Sequence, residues 1–357
     1  MRGNYTRVEY MAKVSCIPET WRTRLTALLA QRWLLPFLLA AGLALSFAVS
    51  WFELLDAYVQ LVIMYVGINI ILAASLNLIN GYMGEFSVGH AGFMAVGAYM
   101  ASVLTVWVFP PEMPWLFPLA IIAGGLAAGL VGLLVAIPSF KTRGDYLAIV
   151  TLALNMIVKS VLENVDALGG PRGFLGMARL TTLPAIFCWT VISVWIIRNL
   201  IYSNFGRGIL AVREDELAGG LMSVKTRQVK LIAFTVSSFF AGIAGGLFAH
   251  LLQFINPRMF DLIKSTDILI MMYLGGIGSI AGSILGATIY TLLLEILRPL
   301  GVWRMVLMPL TLVLLMLFRP RGIMGLREFR WFVPGYDFFV KKAGTDQKQK
   351  AVIDGAP

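Results

Sequence analysis

A series of uninterrupted apolar runs, at about 33–52, 57–79, 116–138, 145–164, 183–200, 231–253 and 304–318, constrains this chain more than any other feature. A bilayer core roughly 30 Å thick is crossed by about 20 such residues in a helix. In hydrocarbon every backbone amide must find its partner inside the protein, which a helix achieves within its own segment. The runs therefore predict an all-α, polytopic membrane helical bundle. Composition agrees, with 59% of the 357 residues apolar and 13% charged, whereas a soluble domain carries about 25% charged residues. Cys16, in a basic tail, and Cys188, inside an apolar run, read as reduced and unpaired, which excludes a disulfide scaffold. The net charge of +10 reads as the basic cytoplasmic loops of such a protein and not as a nucleic-acid surface.

Basic residues set the orientation. Before the first run stand Arg2, Arg7, Lys13, Arg22, Arg24 and Arg32 against two acids, which predicts a cytoplasmic amino-terminal tail over 1–32 and argues against a cleaved secretion signal. Alternation then puts the connections at Glu53 and Asp56, the FPPEMPW stretch and the DALGGPRGFLGM loop outside. SFKTRGD, with Lys141 and Arg143, and the stretch from Arg198 to Lys230 fall inside. The carboxyl-terminal tail 319–357 carries eight basic residues against four acids and should also be cytoplasmic, which requires an even number of crossings of the domain 33–318. Two further apolar runs, 86–109 and 267–297, contain glycine clusters. At 1.5 Å per residue the second would make a rod of roughly 46 Å, too long for a single upright span. Gly275, Gly276, Gly278 and Gly282 are placed to break it into two legs, which brings the count to ten.

The chain lacks the residues of an enzyme. His90 and His250 are the only histidines, no metal-ligand spacing surrounds either, and no G-x-x-x-x-G-K-[ST] phosphate loop occurs, so any ATP chemistry belongs to another subunit. No acid is expected near the middle of a span, which disfavours an ion-coupled carrier working alone. Lys159 and Glu163, four apart on one helix, read as a mutual pair near its outer end, and Glu295 reads as interfacial.

The most informative stretch is SNFGRGILAVREDELAGGLMSVKTRQVK, 203–230. Ser203 or Asn204 can cap a helix on which Leu210, Leu217 and Leu221 share a side, with Arg207, Arg213, Glu214, Asp215 and Glu216 over the remainder. A short amphipathic helix held between two spans suits docking into a groove on a peripheral partner. Three consecutive acids argue against the alternative of an anionic lipid surface. Breaks at membrane depth must face protein or water, so the runs at Gly84–Gly97 and Gly275–Gly286 point to a translocation path formed where the two approach. The alternative for Gly278, Gly282 and Gly286 is close helix packing through overlapping G-x-x-x-G steps.

GRGILAVREDELAGGLM resembles the coupling segment of branched-chain amino acid ABC importer permeases. In chain order, NLINGYMGEFSVGHAGFMAVGAYMAS (77–102), RGDYLAIVTLAL (143–154), GGPRGF (169–174), KLIAFTVSSFFAGIAGGLFAH (230–250), MMYLGGIGSIAGSILGA (271–287) and RPRGIMG (319–325) are similar to further segments of that family. The likeness covers about 70–330 and is greater to the larger of the two paired membrane subunits. It implies a permease subunit in a bacterial inner membrane, binding no cofactor itself. The expected partners are a second homologous permease, two ATPase subunits that hold ATP and magnesium, and a periplasmic solute-binding protein. On the same resemblance Arg207, Arg213, Glu214, Asp215, Glu216 and Leu217 couple to the ATPases. Glu85, Ser87, His90, Gly92, Gly275, Gly278 and Gly282 are the path candidates. Glu85 replaces the family's usual glutamine, Met156 a frequent glutamate, Arg172 a common asparagine and Ser223 a closing glycine, which leaves urea, short amides or other amino acids open as solutes.

Ten crossings put the loop 298–304 outside, despite Arg298 and Arg304. A cysteine introduced by Leu300→Cys should react with an impermeant thiol reagent from the periplasmic side, and labelling from the cytoplasmic side alone would favour nine.

Overall fold

In a computed structural model the protein is described over residues 34–51, 55–109, 114–140, 146–301, 303–318, 322–325 and 328. The basic tail 1–32, Glu53, Lys141, Arg143 and most of 319–357 lie outside the described residues. The chain divides into two units, Met1–Leu45 and Ser46–Pro357, and of the first only the opening turns of α1 (Leu34–Trp51) are described. The second holds α2 (Ala57–Asn77), α3 (His90–Val103), α4 (Phe117–Ser139), α5 (Tyr146–Asn164) and α6 (Leu183–Tyr202). They are followed by α7 (Asn204–Glu214), α8 (Glu216–Leu221), α9 (Thr226–Leu252), α10 (Leu262–Gly275), α11 (Ile280–Ile296) and α12 (Trp303–Phe318). Wider π-type turns extend α2 to Met83 and α3 to Val108.

Among the described residues six helices are long and apolar enough to cross a membrane: Ala57–Met83, His90–Val108, Phe117–Ser139, Tyr146–Asn164, Leu183–Tyr202 and Thr226–Leu252. The stretches Ala40–Trp51 and Ile280–Ile296 are apolar but shorter. Apolar content does not distinguish the helices, but burial does. α9 is 72% buried over its most apolar window and α5 only 22%, so α9 is a central helix and α5 a peripheral one. Small residues place it there, because a Cβ on Gly97 of α3 would stand 2.2 Å from Gly242 Cα and one on Gly245 would meet Met94 O at 2.0 Å. Backbone-to-backbone contact of this kind substitutes for the hydrophobic drive that helices lack among lipid tails.

The run expected to break at Gly275–Gly282 does break. α10 and α11 are separate helices, joined through Gly276 (φ 136°) and Gly278 (φ 75°), both in backbone conformations that side chains disfavour. They fold back on each other, since a Cβ on Gly275 would lie 1.9 Å from Gly282 O and one on Gly286 2.1 Å from Met271 O. At 14 and 17 residues the legs measure about 21 and 26 Å, each short of the hydrocarbon thickness.

The broken backbone is satisfied by protein. Asn77 Oδ1 accepts from Gly278 N (2.9 Å), while its Nδ2 donates to Ser279 O (2.8 Å) and Ser283 Oγ (2.7 Å). Past α12 the chain returns to the same place. Ile323 N donates to Leu274 O (3.0 Å) and Met324 N to Gly275 O (2.9 Å). The Glu328 carboxylate accepts from Ile280 N, from Ala281 N (3.2 Å) and from Tyr82 Oη (2.8 Å). The carboxyl-terminal segment thus supplies donors to the last carbonyls of α10 and acceptors to the first amides of α11.

At the other end of the bundle Phe174 and Leu175 pair antiparallel with Ile255 and Phe254, and Asn256 Nδ2 donates to Pro171 O (3.0 Å). The expected Lys159–Glu163 pair is corrected here, because Lys159 Nζ meets Asp261 Oδ2 at 2.9 Å. Asp261 begins α10, its Oδ1 accepting from Leu262 N (2.7 Å), and the packed helix ends bring it to α5. The Lys159 ammonium, followed by the Leu262 amide, holds the Asp261 carboxyl below the usual carboxylate range. An exposed four-apart pair contributes only about 0.2–0.5 kcal/mol, too little to compete.

Glu328→Ala would strand the buried Ile280 and Ala281 amides, costing about 2 kcal/mol or more. Denaturation in detergent should register that loss, and Glu328→Gln, which keeps an acceptor, should lose less. Equal stability of the alanine variant and the parent would remove Glu328 from this role.

Candidate functional site

The polar segment after α6 opens with a local cap. Ser203 Oγ accepts from Gly206 N (3.2 Å), as one of the two expected caps. The single amphipathic helix expected here is corrected to two. The backbone is extended at Asp215 (φ −160°), whose Oδ1 accepts from Leu217 N (2.8 Å) and Ala218 N (3.1 Å), starting α8 afresh. A short aspartate side chain competes with helix continuation in this way. The split also redistributes the apolar residues. Ile209 and Val212 of α7 are buried, while Leu217 (74%) in the first turn of α8, Leu221 (87%) at its end and Met222 (81%) just past it are exposed. Leu210 on α7 is exposed as well, though less, at 38%. Behind them Ser223 has φ 65°, in the left-handed region. Glycine takes that conformation freely, whereas serine there costs about 1 kcal/mol.

The three acids divide their roles. Glu214 is exposed, as is Arg207; Asp215 caps α8; Glu216 Oε2 meets Lys230 Nζ at 2.8 Å. Lys230, in the second turn of α9, also meets Glu85 Oε1 at 2.6 Å, and its side chain is only 9% exposed. Glu85 belongs to the connection 84–89 between α2 and α3. The same connection touches α7 at Gly84 (φ 79°), where a Cβ would stand 3.0 Å from Arg213 Cγ. Glu85, a path candidate, is therefore bound to the polar segment 203–230. Lys230 escaped sequence reading, although a lysine immediately ahead of the apolar run 231–253 was the available signal.

Ser87, His90 and Gly92 lie along the entry to α3. Asn80 clasps the Ser87 backbone, Oδ1 accepting from Ser87 N (3.1 Å) and Nδ2 donating to Ser87 O (3.3 Å). His90 Nε2 lies 2.8 Å from Ser75 Oγ, and Ser75 Oγ donates to Leu72 O (2.9 Å). Its proton being committed, Ser75 receives Nε2–H, which leaves His90 Nδ1 as a lone-pair acceptor. That atom, Ser87 Oγ and Asn155 Oδ1 are buried without a hydrogen-bond partner among the described residues. A Cβ on Gly92 would stand 3.1 Å from Asn155 Oδ1. His250 instead links Thr105 Oγ1 (2.8 Å) and Gly246 O (2.9 Å).

The flanks of the two glycine-rich regions meet, through residues other than the glycines of Gly84–Gly97. The approach is made by Asn77 and Gly81, a Cβ on Gly81 standing 2.6 Å from Gly278 N, and by Ala91 N donating to Ser265 Oγ (3.2 Å). Gly89 faces Thr151, Gly92 faces Asn155, and Gly97 faces Gly242. Gly275, Gly278 and Gly282 stay within the α10–α11 hairpin and its contact with α2. Asp267, read as the edge of a run, lies in the second turn of α10 and accepts from Tyr290 Oη.

Residues 58–317 match the family described as branched-chain amino acid transport system, permease component. The chain is 32% identical over 292 residues to the high-affinity branched-chain amino acid transport system permease protein LivM of Escherichia coli (strain K12), covering 72% of this chain and 68% of that one. It is 24% identical over 274 residues to the probable branched-chain amino acid transport permease protein LivM of Methanocaldococcus jannaschii, covering 66% and 79%. To the E. coli permease protein LivH it is 22% identical over 289 residues, covering 72% and 91%. No solved structure matches. The match over most of the chain, together with a glycine-broken helical bundle and a capped polar segment between α6 and α9, places this multi-pass membrane protein in the branched-chain amino acid transport system permease family.

Proposed function

We propose that this chain is the membrane-spanning permease subunit of an ATP-driven importer in a bacterial inner membrane. It moves leucine, isoleucine and valine received from a periplasmic binding protein. It pairs with a second homologous permease, and two ATPase subunits carry the ATP and magnesium. The observation that carries the reading is the apolar surface along α8 to its tip, where Leu217, Leu221 and Met222 stand exposed on a helix whose start is fixed by Asp215 and Glu216. A preformed apolar tip on a polar segment suits the groove of a peripheral protein. The chain has no phosphate loop of its own. The reading puts residues 203–225, the connection 84–89, the turn 276–279 and both termini on the cytoplasmic side. The Phe174–Ile255 pairing then faces the binding protein.

Full burial of a leucine contributes about 1.5–3 kcal/mol, and 1.4 kcal/mol is a factor of ten in affinity. Leu217→Ser with Leu221→Ser should therefore weaken recovery of ATPase subunits with the purified protein more than tenfold. ATP-driven leucine uptake in reconstituted vesicles should fall in step, at unchanged membrane abundance. Wild-type uptake by the double variant would overturn the docking role. Transport of urea or an amide in place of leucine by the parent would overturn the solute.

A further inference from the structure

The three-charge contact at Lys230 joins parts of the chain that are far apart in sequence. Lys230 lies at the foot of the central helix α9, Glu216 on the segment whose tip is exposed, and Glu85 on the connection that leads into α3. Its ammonium also stands 5.8 Å from the centre of the Phe140 ring, at the end of α4. One largely buried ammonium between two carboxylates attracts both, and without it the carboxylates repel each other. From Glu85 the connection is held without slack: Gly84 sits against Arg213, Ser87 is clasped by Asn80, and His90 bonds to Ser75.

We propose that Lys230 is a positioning residue, making the 203–225 segment and the 84–89 connection move as one body, so that a displacement imposed at the tip of α8 reaches the start of α3. This rests on the reading that an ATPase docks at that tip, and it adds the internal link through which docking acts on the bundle. Glu216 occupies a suitable place for such a link. It is the first residue of α8, its side chain is 53% exposed, and it anchors the base of the same short helix whose far end is free. The link has contact geometry on both sides, and its energetic coupling is what an experiment must show.

The test uses the complete complex in vesicles, with solute transported per ATP hydrolysed as the readout. Lys230→Met should retain its ATPase subunits yet move at least fivefold less solute per ATP. Lys230→Arg, which can bridge both carboxylates, should return to within twofold of the parent. A wild-type ratio in Lys230→Met overturns the proposal, and so does a loss that arginine fails to restore. If the methionine variant does not accumulate in the membrane, Glu216→Gln carries the same readout from a half-exposed position, and a wild-type ratio there overturns the proposal equally. Failure of the underlying reading looks different, since the parent protein itself would then retain no ATPase subunits.

Discussion

A backbone amide left without a partner in hydrocarbon costs several kcal/mol, and the arrangement of this protein follows from how that demand is met where its helices stop early. At the turn 276–279 the chain leaves helical geometry beside α2, and three sources complete the hydrogen bonding. They are Asn77 from α2, the amides of Ile323 and Met324, and the carboxylate of Glu328. One comes from α2 and two from the carboxyl-terminal segment. The carboxyl-terminal residues therefore act as part of the bundle, and Gly322 accommodates them, since a Cβ there would stand 2.4 Å from Tyr273 O. At 84–89 the same demand is met by Asn80, Thr151 and Ser265, which reach the amides of Ser87, Val88 and Ala91.

Two ways of joining helices coexist here. Around α9 the contacts are between glycines and backbones, with Gly97, Gly124, Gly242 and Gly245 removing side chains from the crossing points. Such contacts are short-ranged and tolerate no added atom. Around the two breaks the contacts are polar and come from asparagine, serine and glutamate side chains. Hydrogen bonds of this kind fix register as well as distance. The glycine-packed helices suit a rigid body, while the polar junctions join the bundle to the segment that a partner can reach.

What could be read from sequence follows the range of the interaction. The apolar runs, the break at Gly275–Gly282 and the Ser203 cap depend on residues within a few positions of each other, and the structure has them. The division at Asp215 was legible in principle, because an aspartate ahead of Glu216 and Leu217 is a helix-start signal. It was absorbed into an acidic face because the apolar spacing of Leu210, Leu217 and Leu221 suggested one continuous helix. Lys159–Asp261, Lys230–Glu85 and Glu328–Ile280 join residues 102, 145 and 48 positions apart. Nothing local marks such partners. The i,i+4 spacing of Lys159 and Glu163 pointed to a neighbour that tertiary packing replaced.

The polar segment 203–225 separates residues that fix its shape from residues that remain available. A helix of six residues has almost no stability of its own, since nucleation fixes about three residues for a single hydrogen bond. The geometry of α8 therefore depends on its attachments: the Asp215 cap at its start, the Glu216–Lys230 contact at its base, and the left-handed Ser223 that turns the chain back toward α9. None of these uses the side chains of Leu217, Leu221, Met222 or Glu214, all of which remain exposed. An apolar surface held in a fixed place by other residues loses little conformational entropy when a partner covers it. The same attachments carry force in the reverse direction. Because the base of α8 is tied to Lys230 and, through it, to Glu85, a partner that moves the tip cannot do so without loading the entry to α3.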